Sequence, residues 1–550
     1  MKNKIILSCL LASSLFGFSA CSDFLDEDPK GKLTPGSYFA TQDELDMSVN
    51  ALLTMVTSSQ QYTNMQYPQW QGDDITANPG SNKQACAQLD AFAASADNKG
   101  VRDAWNAHFA IIKAANTIID NAGRTPTSQA ELDIALGQAY YWRAYAYFYL
   151  VRLYGPLPMN LHNESDEGKT IPTPVEGVYE QILSDLKQAE ALKLPASFTG
   201  EPRHLFGRDV YVTQQVVKAT LSAVYMAMAG YPLNKGAEYY GMAADKAAEV
   251  IKGVDNGLYD IAMDADWKNV YSMGNNYNNE TVLGINFSPI VSWDNDSQLS
   301  SCNLFESLGG WGDAWGEIDF YVRMPEGPRK AMTYDPKILK EGVLYDWWAT
   351  TDGQPVNTSK KNAVIPEYHP MFSVFTVNAD ASGNAIAAPY DYRLPKWQGM
   401  CNDHRHRIIR YPEVLLWYAE SAARAGRDLA TAKHFLKAVR QRAVDPRGVN
   451  EVNGVSIDAM TAEQLAQACY EEHGWEVAGY WVALVTRRAD QFRMNDLKNT
   501  FARRVANAPI TVAPGFTATE AVPVKGTWND DMNYIPYPQS EVEKNPNLKR

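Results

Sequence analysis

Three short stretches of this 550-residue chain combine tryptophan with amide and carboxylate side chains. Their sequences are Q-W-Q-G-D-D-I-T-A-N at 69–78, S-W-D-N-D-S-Q at 292–298 and G-G-W-G-D-A-W-G-E at 309–317. An exposed indole ring can stack on a flat apolar face of a ligand, and Asn, Asp and Gln can hydrogen-bond to its hydroxyl groups. Sugars present both features, so this mixture of side chains predicts a shallow site for a hydroxyl-rich ligand.

We predict that the ligand-contacting residues come from all three stretches: Trp70, Asp73, Asp74, Asn78, Trp293, Asp294, Asn295, Trp311 and Trp315. The alternative for any single tryptophan is core packing, which we favour at Trp105, Trp142 and Trp417. Glycines flank Trp311 and Trp315, which makes deep burial in regular structure less expected there. Core packing and ligand contact both remain open at these two positions.

The spacing of Trp311 and Trp315 leaves their arrangement open. Residues four apart lie on one side of a helical turn, and they also share one face of an extended strand, at a larger separation. Either arrangement can offer two indole rings to one ligand, with Trp293, Asp294 and Asn295 as a neighbouring aromatic and polar group.

Motifs of the common catalytic and cofactor sites are absent from the sequence. It contains no H-E-x-x-H, no G-x-S-x-G and no G-x-G-x-x-G. Cys401, Asp403, His404 and His406 are a possible metal cluster, but arginines stand between them and no second ligand pair lies nearby, so a polar loop or strand is favoured. Paired carboxylates for glycoside hydrolysis cannot be selected among 64 acidic residues. We therefore predict no catalytic residues, no metal and no cofactor.

Composition excludes further classes of protein. There are 50 Lys and Arg residues against 64 Asp and Glu, for a formal net charge of −14. An acidic surface repels phosphate backbones, so nucleic acid is not an expected partner. Six cysteines without any C-x-x-C are too few for a disulfide scaffold in a chain of this length.

The N-terminal residues have the pattern of an export signal. Lys2 and Lys4 precede an apolar stretch, 5–18, which is followed by Ser19, Ala20 and Cys21. Fourteen residues rise only about 21 Å as a helix, less than the roughly 30 Å of a bilayer core. The sequence F-S-A-C resembles the lipobox of bacterial lipoproteins. We expect removal of residues 1–20, acylation of Cys21 as the lipid anchor, and a location outside the cytoplasm.

The remaining chain predicts a helical scaffold with long irregular excursions. Residues 21–40 are polar and turn-prone, as expected of a tether, and 41–550 form one domain. Helical periodicity is concentrated at about 41–254 and 406–504, partly as short helix pairs similar to tetratricopeptide units. Residues 255–405 lack this periodicity and contain seven of the 14 tryptophans. Long loops inside a compact domain are usually functional, so the ligand side is expected there.

Two helix boundaries illustrate these predictions. Thr41 and Glu44 match a capping box, followed by Leu45, Val49 and Leu52 at helical spacing. The last long helix is predicted to begin at Thr461 and to reach about Arg488.

Six segments together resemble the SusD/RagB-like family of Bacteroidetes outer-membrane lipoproteins. They are C-S-D-F-L-D-E-D-P at 21–29, W-N-A-H-F-A-I-I-K-A-A-N at 105–116, Q-A-Y-Y-W-R-A-Y-A-Y-F-Y-L-V-R-L-Y-G-P-L-P at 138–158, V-Y-E-Q-I-L-S-D-L at 178–186, R-Y-P-E-V-L-L-W-Y-A-E-S-A-A-R-A-G at 410–426 and Y-I-P-Y-P-Q-S-E-V-E-K-N-P-N-L at 534–548. They lie in the family's order and span nearly the whole mature chain. The sequence departs from the family pattern at 471–488, where a Glu-Arg-Arg cluster is usual.

The resemblance implies a mostly α fold, anchored through acylated Cys21 to outer-membrane lipid and facing the cell exterior. It also implies a partner, a SusC-like TonB-dependent outer-membrane transporter, over which such lipoproteins close. Members of the family capture oligosaccharides, or in some cases peptides, without catalysis. Capture of an oligosaccharide is the favoured function. Peptide capture by the same architecture is the alternative, and a surface all-α glycoside hydrolase is a third.

Overall fold

The computed structural model describes residues 38–549 except 62, 164–169, 273–274, 289–294, 336, 355–361, 374–377, 380–384, 387–401 and 523. Cys21, Trp293, Asp294 and Cys401 therefore lie outside the described residues, as does the expected signal sequence.

Eighteen α-helices lie in the described part of the chain. In chain order they are α1 Gln42–Gln61, α2 Thr63–Gln66, α3 Gln84–Asp90, α4 Lys99–Asn121, α5 Gln129–Tyr154, α6 Val175–Ala191, α7 Gln214–Ala229, α8 Ala237–Asp255, α9 Trp267–Val270, α10 Leu299–Asn303, α11 Ile318–Arg323, α12 Pro328–Thr333, α13 Tyr411–Arg424, α14 Leu429–Ala443, α15 Ala462–Glu476, α16 Arg487–Arg493, α17 Leu497–Ala506 and α18 Gln539–Lys544. The prediction of a mostly α fold is confirmed. None of the described helices has both the length and the apolar character needed to cross a bilayer.

The described strands are short and form seven antiparallel pairs. They are β1 Ile75–Ala77, β2 His204–Leu205, β3 Arg208–Asp209, β4 Thr281–Ile285, β5 Ala314–Gly316, β6 Ile338–Lys340, β7 Val343–Tyr345, β8 Asn378–Ala379, β9 Ala385–Ile386, β10 His406–Arg410, β11 Glu451–Val452, β12 Val455–Ser456, β13 Ile510–Ala513 and β14 Phe516–Ala518. Two pairs join distant parts of the chain, β1 with β5 and β4 with β10, while the other five join strands that follow each other along the chain.

The long helices pack side by side in a continuous array. α1 contacts α4, α4 contacts α5, and α5 contacts α6, which leads through α7 to α8. α13 then packs against α8, α14 and α15. The array therefore contains both sequence regions in which helical periodicity was predicted.

α5 packs between α4 and α6 and is buried on every side over its last seventeen residues, except at Tyr140. Its core tryptophan, Trp142, is buried, as are Trp105 and Trp417, which confirms the preference for core packing at these three positions. The buried guanidinium of Arg143 in α5 is paired with α6, since Arg143 Nη2 lies 2.7 Å from Asp185 Oδ1. A helix that is buried on nearly every side is stabilised by contacts around its whole circumference, and not only by the contacts of one apolar face.

The N-terminal capping box of α1 forms as predicted. Glu44 N donates to Thr41 Oγ1 at 3.3 Å, and Thr41 N donates back to Glu44 Oε2 at 3.0 Å. The two side chains thereby satisfy amide groups that the first helical turn leaves unpaired.

The predicted extent of the last long helix is wrong at its C-terminal end. α15 begins after the Thr461 cap as expected but ends at Glu476, and a non-helical segment separates it from α16. Gly479 in this segment has φ +68°, a backbone conformation that suits glycine. Its amide donates to Asp74 Oδ2 at 2.7 Å instead of continuing the helical ladder. The end of α15 is therefore set by a residue more than 400 positions earlier in the chain.

A buried ion network holds the β4–β10 pair against the C-terminal helices. Arg410 Nη1 lies 3.1 Å from Glu280 Oε1 and 2.8 Å from Glu476 Oε1. Arg442 and Arg329 also reach Glu476, at 3.1 and 2.8 Å. Several hydrogen bonds per carboxylate offset the cost of removing these charges from water.

Candidate functional site

Two of the three tryptophan-containing stretches meet in the β1–β5 pair. Thr76 lies opposite Trp315, and Ile75 opposite Gly316. The ladder is extended at both ends, where Asn78 N donates to Asp313 O at 2.9 Å and Glu317 N donates to Asp74 O at 3.2 Å. Stretches separated by more than 230 residues thus form one continuous structural unit.

The aromatic residue of the first stretch faces the core. Trp70 is 0% exposed, and its ring lies in edge contact with Trp481 at 5.0 Å and with Tyr67 at 4.8 Å between centroids. The exposure that sugar stacking requires is absent, so the expected ligand contact at Trp70 is corrected to core packing. The short 3₁₀ turn at Tyr67–Gln71, with Pro68 in its first positions, directs the indole inward.

Asp73 and Asp74 are buried and bind protein groups. Asp73 Oδ1 lies 2.6 Å from Arg487 Nε, and Asp73 Oδ2 lies 3.0 Å from Arg323 Nη2. Although burial opposes ionisation, Arg487 and then Arg323 hold the pKa of Asp73 well below its usual range. Burial raises the pKa of Asp74 to about 7, with the Gly479 hydrogen bond acting in the opposite direction. Both carboxylates therefore join the stretch to 479–487, and their expected role as ligand contacts is corrected to a structural one.

Asn78 and Trp315 are also buried. The Asn78 side chain accepts a hydrogen bond from Gly80 N at 2.9 Å and so shapes a turn of its own backbone. Trp315 is 4% exposed and packs against His369, 5.1 Å between ring centroids, and against Phe305 at 6.2 Å. The glycine next to it did not prevent burial, because β5 is covered on both faces. Of the two alternatives left open for Trp315, the structure shows core packing.

Trp311 differs from Trp70 and Trp315 because it is half-buried in a loop, where it packs against the main core on one side and reaches the surface on the other. Its amide donates to Ser301 O at 2.8 Å, and Gly312 N donates to Leu304 O at 2.8 Å, so the loop folds back on α10. Gly309 and Gly312 have φ values of +93° and +60°. Only glycine adopts both conformations at little cost, and the tight loop that results presents the indole at its edge.

Polar side chains surround this loop. Lys83 forms an ion pair with Asp313 and lies 3.9 Å from Glu306 Oε1, which ties the 81–83 turn to the loop. The Glu306 side chain is half exposed. Ser307 is anchored by Glu367, which accepts from its amide at 3.0 Å and from its hydroxyl at 2.8 Å. We call residues 81–83 and 306–311 the Trp311 surface.

Sequence reasoning missed the charged members of the Trp311 surface. Lys83 and Glu306 lie outside all three tryptophan-containing stretches, although both are within seven residues of one of them. The signal that was available is the polar turn G-S-N-K at 80–83, which is separated from the first stretch by Pro79 alone.

The remaining tryptophan-containing stretch, 292–298, contains Asn295, which is described and half-buried. Asn295 O accepts from Ser288 N at 2.7 Å, and its side-chain Oδ1 is shielded from solvent without a hydrogen-bond partner. Asp296 next to it accepts from Gln61 Nε2 at 3.3 Å, and Gln298 has both amide atoms buried without a partner. A group of buried polar side chains thus leads from this stretch into α10, which supports the Trp311 loop.

The His404 and His406 side chains bind protein groups. Tyr271 O lies 3.0 Å from His404 Nε2, and Ser297 Oγ lies 3.0 Å from His406 Nε2. Burial lowers the pKa of His404 to about 3, and Arg407 adds to the effect. Within the described residues, no group of three or more His, Cys, Asp or Glu side chains could hold a metal ion.

Comparisons with known proteins agree on one family. The SusD family matches residues 234–550, and a family described as "Starch-binding associating with outer membrane" matches residues 23–226. SusD-like protein P2 of Formosa agariphila is 26% identical, over 87% of this chain and 88% of its own length.

Solved structures share the fold. A SusD homolog from Bacteroides thetaiotaomicron superimposes with a TM-score of 0.70 at 18% identity, covering 94% of this chain and 97% of its own. A structure described as solved with a xylogluco-oligosaccharide has a TM-score of 0.64 at 18% identity, covering 92% of this chain and 98% of its own. Since the SusD family match alone spans more than half of the residues, the chain belongs to the SusD family.

Proposed function

We propose that this protein captures oligosaccharides at the cell surface through the Trp311 surface and passes them to a SusC-like TonB-dependent transporter without catalysing a reaction. The observation that carries the proposal is the β1–β5 pair, which brings two tryptophan-containing stretches together and leaves Trp311 at the surface beside polar groups. Among the predicted ligand residues that the structure describes, Trp311 combines an aromatic ring with access from solvent.

The chemistry of the Trp311 surface suits a sugar. One face of a pyranose ring is apolar and packs on an indole, while its hydroxyls need acceptors and donors at the rim. Glu306 offers a half-exposed carboxylate, and the 81–82 turn offers exposed serine and asparagine side chains. Such a site is shallow, so hydrogen bonds at the rim compete with water and the affinity is expected to be modest.

Relatives support the ligand class. The match to the family described as starch-binding and the related structure with a xylogluco-oligosaccharide both point to carbohydrate. We therefore favour carbohydrate over the alternative ligand, a peptide, and binding over the third possibility, glycoside hydrolysis.

The affinity measurement that tests this proposal compares two tryptophans. Trp311→Ala should lower affinity for a glycan identified on an array by about ten- to hundredfold, by analogy with stacking of a base on an aromatic side chain. Trp528→Ala is the matched control, because Trp528 is also half-buried but packs on Phe92 and Phe501, at 5.9 and 5.6 Å. Isothermal titration of both variants gives the comparison.

Three results contradict parts of the proposal. Unchanged glycan affinity in folded Trp311→Ala would place the site elsewhere. Binding of a peptide mixture, with no signal on the glycan array, would favour the peptide alternative. Release of shortened sugars after prolonged incubation would favour the hydrolase.

We also propose that Cys21 is acylated and anchors the protein to the outer face of the outer membrane. Two or more acyl chains give stable attachment without a basic patch. Cys21→Ala should release the protein into the medium without lowering its melting temperature, because α1 begins only at Gln42. Mass spectrometry of the native protein should find a lipid-modified Cys21 at the N-terminus, and an unmodified N-terminus at another residue would contradict the anchor.

The transporter partnership has its own test. Purification in mild detergent should recover a large outer-membrane protein together with this chain. Isolation of this protein alone, under conditions that preserve related complexes, would contradict delivery to a barrel partner while leaving glycan binding in place.

A further inference from the structure

A cavity of about 350 Å³ lies between the β2–β3 hairpin and the β4–β10 pair. Its rim includes the exposed residues Ser197, Thr199 and Gly207. Its floor is formed by buried residues, among them Thr281 and Arg405. None of these residues belongs to the Trp311 surface or to the three tryptophan-containing stretches. A volume of this size is within the usual range for a small-molecule site.

Arg405 is the least satisfied charged group in this cavity. Its side chain is buried, with the residue 2% exposed, and its Nε and Nη1 have no hydrogen-bond partner. Among the described residues, its guanidinium makes one hydrogen bond, from Nη2 to the backbone oxygen of Asp209 at a long 3.4 Å. A guanidinium has five N–H donors, so most of its hydrogen-bonding capacity is unused.

Other buried arginines in the described residues are better satisfied. Arg410 contacts the carboxylates of Glu280 and Glu476. Arg488, which also has no carboxylate partner, donates to Arg152 O and Asn533 O at 2.8 Å and to Gln71 Oε1. Arg405 therefore stands apart in having neither an ion pair nor a short hydrogen bond.

The acidic side chains of the cavity have partners other than Arg405. Asp209 Oδ1 lies 2.7 Å from His204 Nδ1, and Asp260 Oδ2 lies 3.2 Å from Arg208 Nη1. Neither carboxylate lies within ion-pair distance of the Arg405 guanidinium. Since an unpaired buried charge is strongly disfavoured, the position of Arg405 requires a compensating anion or a functional reason.

The local backbone accommodates this guanidinium. A Cβ atom at Gly284 would lie 2.4 Å from Arg405 Nε, so any larger residue at position 284 would displace the Arg405 side chain. Burial lowers the pKa of Arg405 to about 9, and the nearby Arg407 acts in the same direction. Even so, Arg405 is fully charged at neutral pH and is held against the cavity by its packing.

We propose that this cavity binds the carboxylate group of a small sugar acid, with Arg405 as the counterion. The serine and threonine hydroxyls at the rim and floor are then placed to hydrogen-bond to the sugar hydroxyls. A monovalent carboxylate fits better than a divalent oxyanion, because Asp209 and Asp260 would repel additional negative charge. The low-dielectric floor, which includes Val216 and Leu283, strengthens the ion pair.

The test uses D-glucuronate as the probe and D-glucose as its neutral match, both titrated calorimetrically into the full mature protein. Glucuronate should bind at least tenfold more tightly than glucose. Arg405→Gln should abolish this preference. Arg102→Gln is the control and should keep the preference, because this variant also loses one positive charge, but from an exposed site. Thr199→Trp changes the exposed rim and leaves Arg405 in place, and it should block glucuronate binding. If Arg405→Gln fails to fold, Thr199→Trp tests whether glucuronate binds in this cavity.

Stability gives a second measurement. Saturating glucuronate should raise the melting temperature of the wild type and of Arg102→Gln but not of Arg405→Gln. Equal binding of glucose and glucuronate would overturn the proposal. So would glucuronate binding that persists in Thr199→Trp and Arg405→Gln, or inorganic sulfate binding more tightly than glucuronate.

Discussion

Trp311 and Trp315 are four residues apart in the same glycine-rich stretch, yet the structure gives them opposite environments. Trp315 lies in β5 and is covered by His369 and Phe305, whereas Trp311 precedes the strand in a loop held by Gly309 and Gly312. Composition and flanking residues are nearly the same for both. What separates them is strand pairing, because β1 closes over the backbone of β5 and not over the loop.

The same contrast applies to the charged residues on the two sides of this pair. Asp73 is buried and holds two arginines, while Glu306 is half exposed at the loop. Residues that resemble ligand contacts by type therefore divide into a structural set around β1 and a surface set around Trp311. Mutations on the two sides should change different quantities, stability on one and binding on the other.

The largest expected effect is on the buried side. Asp73→Ala leaves Arg487 buried without its carboxylate and should lower the free energy of unfolding by about 3–5 kcal/mol. Asp103→Ala is the control, because its partners Lys99 and Arg102 are exposed and its loss should cost about 1 kcal/mol or less. Urea denaturation followed by circular dichroism measures both. A small effect at Asp73 would show that the pair is not structurally required.

Trp315→Ala should follow closely, with a loss of about 3–4 kcal/mol. The value is placed in the lower part of the range for large aromatic residues because Trp315 belongs to a small separate core cluster that can relax around the cavity. Trp311→Ala should cost about 1 kcal/mol in the same denaturation experiment, because Trp311 lies in a loop and is only partly buried. Equal losses for the two variants would break the distinction between strand and loop.

Much of the scaffold could be predicted from the sequence because its signals are local. The capping box of Thr41 and Glu44 fixed the start of α1, and the predicted start at Thr461 holds for α15, where Thr461 and Gln464 form a capping box. The end of α15 was not predictable in this way. It depends on Gly479 bonding to Asp74, a contact that exists only after the chain has folded.

For the candidate site, the sequence predicts ligand contacts in stretches and does not separate individual side chains. Tryptophan with polar neighbours predicts such contacts at 69–78 and 309–317, and the structure joins these two stretches in the β1–β5 pair. Which side chains face outward depends on the register of two three-residue strands and on what covers each face. Trp70 and Trp315 carry no local signal that separates them from Trp311, so their burial could only be learned from the packed structure.

For the buried residues around β1, the pH dependence of stability gives a prediction of intermediate size. The folded-state pKa of Asp74 is about 7, above its ordinary value of 3.8. The folded protein therefore keeps a proton that the unfolded chain has lost, and stability falls as pH rises from about 4 to about 7. Asp74→Asn keeps an oxygen for the Gly479 amide but does not titrate. At about 1.4 kcal/mol per pKa unit, the wild type should lose about 3 kcal/mol more than the variant over this range.

Urea denaturation of both proteins at pH 4, 5.5, 7 and 8 measures this difference. Other groups titrate in both proteins, so their contributions cancel in the comparison. Parallel stability curves for wild type and Asp74→Asn would mean that the carboxyl group is not shielded from water as its position implies.

The smallest expected effect is the most specific test of the exposed side. Trp311→Phe keeps an aromatic face at the edge of the loop but reduces its area, so glycan affinity should fall only about two- to fivefold. Trp311→Leu has a comparable apolar character without a flat ring and should lose affinity as Trp311→Ala does. Both variants should unfold at nearly the same urea concentration, because neither packs deeply. If Phe and Leu weaken binding equally, the ring does not act as a stacking platform, and Trp311 contributes to binding only by supporting the fold of its loop.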